Sequence, residues 1–145
     1  AFTYAKRRAL QSLLERHRSS RMLIFTADND TAYAIAREHL VMPLTCDIGR
    51  QERDDVLERF RRGDIRTLVS ARVLNEGLDV PDADAAVVVG GALGEREHVQ
   101  RVGRLLRPGE GKRAVVYELV TRHTIEVGQA RRRRLGLVAR PSAQL

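Results

Sequence analysis

Apolar residues follow two alternating patterns along the chain, one typical of buried strands and the other typical of helices. Short, nearly continuous apolar runs bounded by polar residues indicate strands that are buried on both faces of a sheet. Longer segments with apolar residues every three or four positions indicate helices that bury one face. The patterns predict strands at 21–26, 42–45, 65–70, 85–89 and 114–119 and helices at 3–18, 30–39, 50–62, 95–106 and 121–135.

Strands that alternate with helices of roughly ten to fifteen residues indicate an α/β fold with a parallel sheet. We therefore predict an open parallel β-sheet with helices on both faces, which 145 residues can form as one domain. In this interpretation 1–20 is a helix that enters the domain, 21–135 is the domain and 136–145 is a frayed tail. The apolar residues of the first helix are Tyr4, Leu10, Leu13 and Leu14.

Polar residues suited to helix ends flank two of the predicted helices. Asp28 and Asn29 stand at the start of the 30–39 helix, and both residue types cap helix N-termini. Gly63 follows the 50–62 helix, at a position where glycine commonly ends a helix. We therefore expect these two helices to begin and end at those residues.

The charge of the chain is strongly basic and is carried by arginine. Lysine and arginine number 26 against 19 acidic residues, a formal net charge of +7, and the only lysines are Lys6 and Lys112. A basic surplus favours a polyanionic partner, most often nucleic acid. Because aromatic residues make up 4% of the chain and tryptophan is absent, we expect contacts with the nucleic-acid backbone rather than with stacked bases.

The composition also bears on the cellular setting. The single cysteine, Cys46, excludes an internal disulfide, suits a reducing compartment and is interpreted as a small apolar filler at a strand end. No apolar run approaches the ~18 residues of a membrane span, and residues 1–8 lack a signal-peptide pattern. We expect a cytoplasmic or otherwise intracellular chain, monomeric and without a membrane partner, that is a fragment of a longer protein because it lacks an initiating Met.

The predicted 95–106 helix and the residues that follow it carry two different stripes. Residues three or four apart share a helix face. One stripe offers an amide, a glycine and two guanidiniums, whose planar forks match phosphate oxygens; the other is apolar and suits a core. The alternative is a solvated surface helix in an arginine-rich chain. The polar stripe is Gln100, Gly103, Arg104 and Arg107, and the apolar stripe is Val99, Val102 and Leu106.

A segment without a predicted element, 71–81, joins two predicted core strands, and such segments are usually functional. In it, Gly77 permits close approach of a ligand to the backbone. The carboxylate of Asp79 is suited to bind a ribose hydroxyl or to hold an arginine. The alternative is a turn glycine followed by an aspartate that bonds its own backbone.

Several catalytic patterns are missing from the sequence. It has no G-x-x-x-x-G-K-[ST] phosphate loop, no Asp-Glu pair at a strand end to hold Mg²⁺, and no G-x-S-x-G nucleophile motif. The four histidines lack metal-ligand spacing, so we predict no metal site. Arginines suited to a phosphate without a cradle for one predict a domain that completes the nucleotide site of another domain.

Four segments, in order, resemble motifs of the second RecA-like domain of superfamily 2 helicases and translocases. The combination of QRxGRxxR with EGLDVP is specific to that superfamily. Gln at position 100 and the segment YELVT at 117–121 make the chain most similar to XPB-type DNA helicases. UvrB-like proteins and restriction-enzyme motor subunits share much of the pattern. The segments are 23–29 (LIFTADN), 49–63 (beginning GRQER), 74–81 (LNEGLDVP) and 100–107 (QRVGRLLR).

The resemblance implies a RecA-like fold and the role of C-terminal motor domain in an ATP-dependent DNA helicase or translocase of repair or transcription. Its cofactors would be ATP and Mg²⁺, bound against an N-terminal RecA-like domain that supplies the Mg²⁺ ligands. The isolated domain would be inactive. The implied arginine fingers are Arg104 and Arg107, the implied nucleotide-binding residues are Gly77, Asp79, Gln100 and Gly103, and the implied DNA-backbone contacts are Thr26, Asp28, Asn29, Arg50 and Arg72.

One position departs from the pattern, since many relatives have a threonine where this chain has Ala71, and Ser70 would have to replace it. Other interpretations stay open at this point. They are a degenerate helicase module that only binds DNA or protein, a motor domain of a restriction or UvrB-like enzyme, and an unrelated α/β enzyme acting on a phosphorylated small molecule. Similarly, the run 131–134 of four arginines is either a solvated helix end or a DNA contact.

Overall fold

The computed structural model describes residues 2–71, 83–89, 102, 106 and 113–119. Within these ranges it contains three helices and five strands, and it confirms every predicted strand and the helices predicted at 3–18, 30–39 and 50–62. The helices predicted at 95–106 and 121–135 lie outside the described residues, apart from Val102 and Leu106. The elements are α1 (Tyr4–Arg16), β1 (Met22–Thr26), α2 (Asn29–His39), β2 (Met42–Leu44), α3 (Arg50–Arg62), β3 (Thr67–Ser70), β4 (Ala85–Val89) and β5 (Val115–Leu119).

The five strands form one parallel sheet in the order β2-β3-β1-β4-β5. The central strand β1 pairs with β3 on one side and β4 on the other, so that Ile24 lies opposite both Val69 and Val87. Every residue of β1 and of β4 is buried. Burial on both faces explains why these strands are continuous apolar runs rather than alternating ones. The predicted parallel sheet is therefore confirmed.

Alternate residues of each strand point to two separate hydrophobic clusters, one on each face of the sheet. On one face Leu23 packs in a cluster with α3, whose Phe60 is fully buried. On the other face Ile24 packs in a cluster with α1 and α2, which contribute Leu10 and Ile35. Helices thus cover both faces, as the alternation of strands and helices predicts.

The first helix buries a different face from the predicted one. Tyr4 is 74% exposed, whereas Lys6 is fully buried together with Leu10 and Leu13. Positions 6, 10 and 13 are four and three residues apart and share one helix face, which Tyr4 does not join. The prediction was wrong for Tyr4 because it was based on residue type, whereas helical spacing and the long aliphatic stem of lysine decide what is buried.

Two of the helices end in left-handed backbone. Gly63 ends α3 with a φ of +84°, a conformation that glycine adopts without steric cost, and the predicted end of this helix is confirmed. Leu40 ends α2 with a φ of +54° and is 92% exposed, at a position where a side chain costs roughly 1–2 kcal/mol. None of the helices that the structure describes is long and apolar enough to cross a bilayer.

Candidate functional site

The carboxyl edge of the sheet is the first place to look for a site, because ligands of open parallel sheets bind outside the carboxyl ends of the strands. There β1 ends at Thr26, β2 at Leu44 and β3 at Ser70. The residues that follow β1 and β2 lead into the N-termini of α2 and α3. Four of the sequence-predicted nucleic-acid contacts, Thr26, Asp28, Asn29 and Arg50, lie along this edge.

Thr26 fixes the turn between β1 and α2. Its side chain is buried, and its Oγ1 donates to the backbone oxygen of Asp28 at 2.8 Å, with the backbone oxygen of Ser70 at 3.5 Å. The hydroxyl hydrogen is therefore engaged within the protein, where it holds the turn against the end of β3. The structure gives Thr26 a role in shaping this edge, and its contact with nucleic acid stays a prediction.

Asp28 is the N-cap of α2, as the sequence predicts. Its Oδ1 accepts a hydrogen bond of 2.7 Å from the backbone N–H of Thr31, and its backbone is extended. The bond satisfies one of the N–H groups that a helix leaves without a partner at its start. The side chain is exposed, so the cap stands at the surface where the predicted ligand would lie.

Asn29 joins the start of α2 to the segment that follows β2. Its side-chain amide lies 3.5 Å from the Sγ of Cys46, and Cys46 is exposed. The interpretation of Cys46 as an apolar filler is therefore wrong. The residue lies two positions beyond the end of β2, and the strand is too short to carry it into the core.

Tyr33 holds the same segment from one turn further along α2. Its hydroxyl donates to Oδ2 of Asp47 at 2.8 Å and pairs with Oγ1 of Thr45 at 2.7 Å. The Thr45 bond lowers the pKa of Tyr33, but the Asp47 bond, desolvation and the charges of Asp47 and Cys46 raise that pKa above its ordinary value. The phenol therefore stays protonated and able to donate at neutral pH.

The sequence analysis missed Tyr33, Thr45 and Asp47. One signal was available, since Tyr33 follows Asn29 by four residues and residues so spaced share a helix face. Their partners on the other side, however, are set by the path of the chain after β2. These three residues position the loop that leads to Arg50.

Arg50 begins α3 and is exposed. The cap before it, Gly49, supplies no side-chain hydrogen bond, and a Cβ added there would meet no atom within 4 Å. An N-terminus with open space and free N–H groups favours anions. Three residues on, the Nε of Arg53 is buried without a hydrogen-bond partner among the described residues, so the first turn of α3 holds a second guanidinium.

The other predicted site residues lie outside the described part of the chain, and their roles stay predictions. The apolar stripe of the predicted 95–106 helix is described at Val102 and Leu106, which are 0% and 6% exposed and pack in the same cluster as α3. Ala71, where relatives have threonine, is buried. The residues outside the description are Arg72, Gly77, Asp79, Gln100, Gly103, Arg104 and Arg107.

Comparisons with known proteins agree with this arrangement. A family model described as helicase conserved C-terminal domain matches residues 5–109. The chain is 38% identical to the DNA 3'-5' translocase XPB2 of Sulfurisphaera tokodaii, over 86% of the chain and 28% of that protein. It is 33% identical to the DNA 3'-5' helicase XPB of Mycobacterium tuberculosis, over 90% of the chain and 24% of that protein. The chain thus spans about a quarter of the length of these relatives.

A solved structure gives the same result for the fold. The C-terminal domain of the DEAD-box protein Dbp5 superposes with a TM-score of 0.72 at 19% identity, covering 98% of this chain and 85% of that one. At this identity the likeness concerns the fold alone, and it agrees with the RecA-like architecture of the parallel sheet.

Proposed function

The chain belongs to the family of helicase conserved C-terminal domains, and from this premise we propose that it is the second RecA-like motor domain of an ATP-dependent DNA helicase or translocase of the XPB type. The similarity to proteins named DNA 3'-5' translocase and DNA 3'-5' helicase, at 38% and 33% identity, carries the proposal. The whole protein would act inside the cell, in DNA repair or transcription.

In this proposal the carboxyl edge of the sheet faces the backbone of a DNA strand. The open N-terminus of α3, with Arg50, would bind a backbone phosphate through charge and N–H donors. Asn29 would contribute its amide, and Arg72 a second guanidinium. The bonds of Thr26 and Tyr33 support the proposal because they fix the two connections that carry these groups.

We propose further that the same edge completes an ATP site shared with an N-terminal RecA-like domain. Arg104 and Arg107 would stabilise the charge that develops on the γ-phosphate, as arginine fingers do. The ligands of Mg²⁺ would lie in the other domain, since no cluster of His, Cys, Asp and Glu among the described residues is suited to a metal. The residues proposed to face the nucleotide are Gly77, Asp79, Gln100 and Gly103.

ATP hydrolysis by the full-length protein tests the proposal. We expect DNA to stimulate hydrolysis, RNA to stimulate it less, and the 145-residue chain alone to be inactive because it holds half of the site. Steady-state phosphate release with single-stranded DNA, double-stranded DNA and RNA measures this. Turnover by the isolated chain, or a full-length protein that DNA does not stimulate, would contradict the proposal.

A further inference from the structure

A second concentration of charge lies at the opposite, amino edge of the sheet. A pocket of about 260 Å³ there is lined by four arginines, one carboxylate and Ser19. The arginines come from three places in the chain: the residue before β1, the last two residues of α3, and the residue before β3. The lining charges are Arg21, Arg61, Arg62, Arg66 and Asp84.

The carboxylate in the pocket does not balance these arginines. Asp84 is buried, and its Oδ2 accepts a bond of 3.0 Å from the backbone N–H of Arg21. Arg66 donates from Nη1 to the backbone oxygen of Ser19 at 3.0 Å. This bond fixes the position of the Arg66 guanidinium, and because the acceptor is a neutral carbonyl it leaves the charge in place.

The remaining two arginines have exposed carboxylate partners. Arg61 pairs with Glu58 at 2.8 Å and Arg62 with Asp64 at 3.2 Å, and all four side chains are about half exposed. Such pairs contribute little and exchange readily with another anion. Cations at the end of a helix also complement its dipole, which accounts for Arg61 and Arg62 but not for the two arginines that precede strands.

We propose that this pocket binds a phosphate group. Guanidinium forks from three segments converge on a space smaller than the ~300–1,000 Å³ of sites for drug-sized ligands, which suits one anionic group. The group would be a backbone phosphate of nucleic acid or the phosphate of a free molecule. The inference goes beyond the proposed function, because the amino edge is opposite the edge assigned to the motor.

Titration of the 145-residue chain with inorganic phosphate tests the proposal, at constant ionic strength and followed by NMR. We expect saturable shifts at the backbone amides of Gly63 and Arg66. In Arg62→Ala/Arg66→Ala we expect the affinity to fall by about tenfold or more, since charge-assisted bonds are lost. The matched control is Arg59→Ala, an exposed arginine of the same helix that pairs with Asp55 and does not line the pocket.

Absence of saturable shifts in the unchanged chain, or equal phosphate affinity in the double variant, would overturn the proposal. If loss of the Arg66–Ser19 bond unfolds the chain, Arg61→Ala/Arg62→Ala gives the same test with two exposed side chains. The variant Arg66→Lys separates shape from charge, because lysine keeps the charge without the planar fork.

Salt-dependent binding of labelled DNA distinguishes the two sources of the phosphate. If the phosphate belongs to nucleic acid, each lost contact lowers the slope of log affinity against log salt by about one in the double variant and not in Arg59→Ala. If it belongs to a free molecule, the DNA slope is unchanged while inorganic phosphate binding is lost. Arg50→Ala, at the carboxyl edge, affects DNA and not inorganic phosphate, so failure of either proposal is seen separately.

Discussion

The two edges of the sheet hold their polar side chains in different ways. At the carboxyl edge, Thr26, Asp28 and Tyr33 are bonded to backbone or to neighbouring side chains at 2.7–2.8 Å. At the amino edge, Arg61 and Arg62 form exposed ion pairs. Short bonds of the first kind fix positions, whereas exposed pairs mainly concentrate charge.

The difference follows from the topology. In a parallel sheet with helical connections, each strand leads into a helix N-terminus at the carboxyl edge, where N–H groups are free and need caps. The helices end at the amino edge, where cations complement the free carbonyl groups. The carboxyl edge is therefore built for placing a ligand, and the amino edge for attracting one.

The largest expected effect is at the carboxyl edge. In the full-length protein, Arg107→Ala should reduce DNA-stimulated ATP hydrolysis by about 10³-fold or more, because an arginine finger acts on the transition state. ATP binding should be largely retained, and Arg59→Ala should leave the rate unchanged. Steady-state hydrolysis and nucleotide binding measure both quantities, and an unchanged rate would remove Arg107 from the site.

Aspartate substitutions at the two edges compare the two kinds of contact directly. Asp28→Ala should lower the free energy of unfolding by about 0.5–2 kcal/mol, since it removes an N-cap. Asp64→Ala should cost at most about 1 kcal/mol, because its partner Arg62 is exposed. Urea denaturation of the two variants measures this, and an equal or larger loss for Asp64→Ala would show that the contrast between the edges is wrong.

Tyr33→Phe should have a smaller effect confined to the carboxyl edge. It removes the hydroxyl that bonds Thr45 and Asp47, at a cost of about 1 kcal/mol. Hydrogen exchange should become faster at residues 45–49. Tyr4→Phe is the control, since Tyr4 is 74% exposed, and exchange at 45–49 that matches the control would contradict the positioning role.

The smallest expected effect concerns pH at the amino edge. His17 bonds the Tyr117 hydroxyl at 2.8 Å, and burial, helped by the Arg16 charge and opposed by Asp84, lowers the pKa of His17 below 6.5. A lowered pKa in the folded state means that stability is full above 6.5 and decreases as the pH falls through the folded value. His17→Gln should flatten the decrease in unfolding experiments between pH 7 and 5, and an unaltered pH dependence would exclude His17 as its source.

The sequence predicts most of the described fold because each strand is a continuous apolar run and each helix has a clear period. Asp28 and Gly63 show that helix ends are also readable, since capping depends on residue type at one position. Cys46 and Tyr33 could not be placed in the same way. Their exposure and contacts depend on the path of the chain after β2, which joins residues that no local pattern connects.

Protection of Cys46 by DNA tests the central claim, that the carboxyl edge is the working edge, most directly. Cys46 is the only thiol of the chain, is exposed and lies beside Asn29, so one alkylation rate reports on this edge. At a concentration of single-stranded DNA that saturates binding, we expect alkylation to slow several-fold, and Arg50→Ala to require more DNA for the same protection. An alkylation rate that saturating DNA leaves unchanged would contradict the claim.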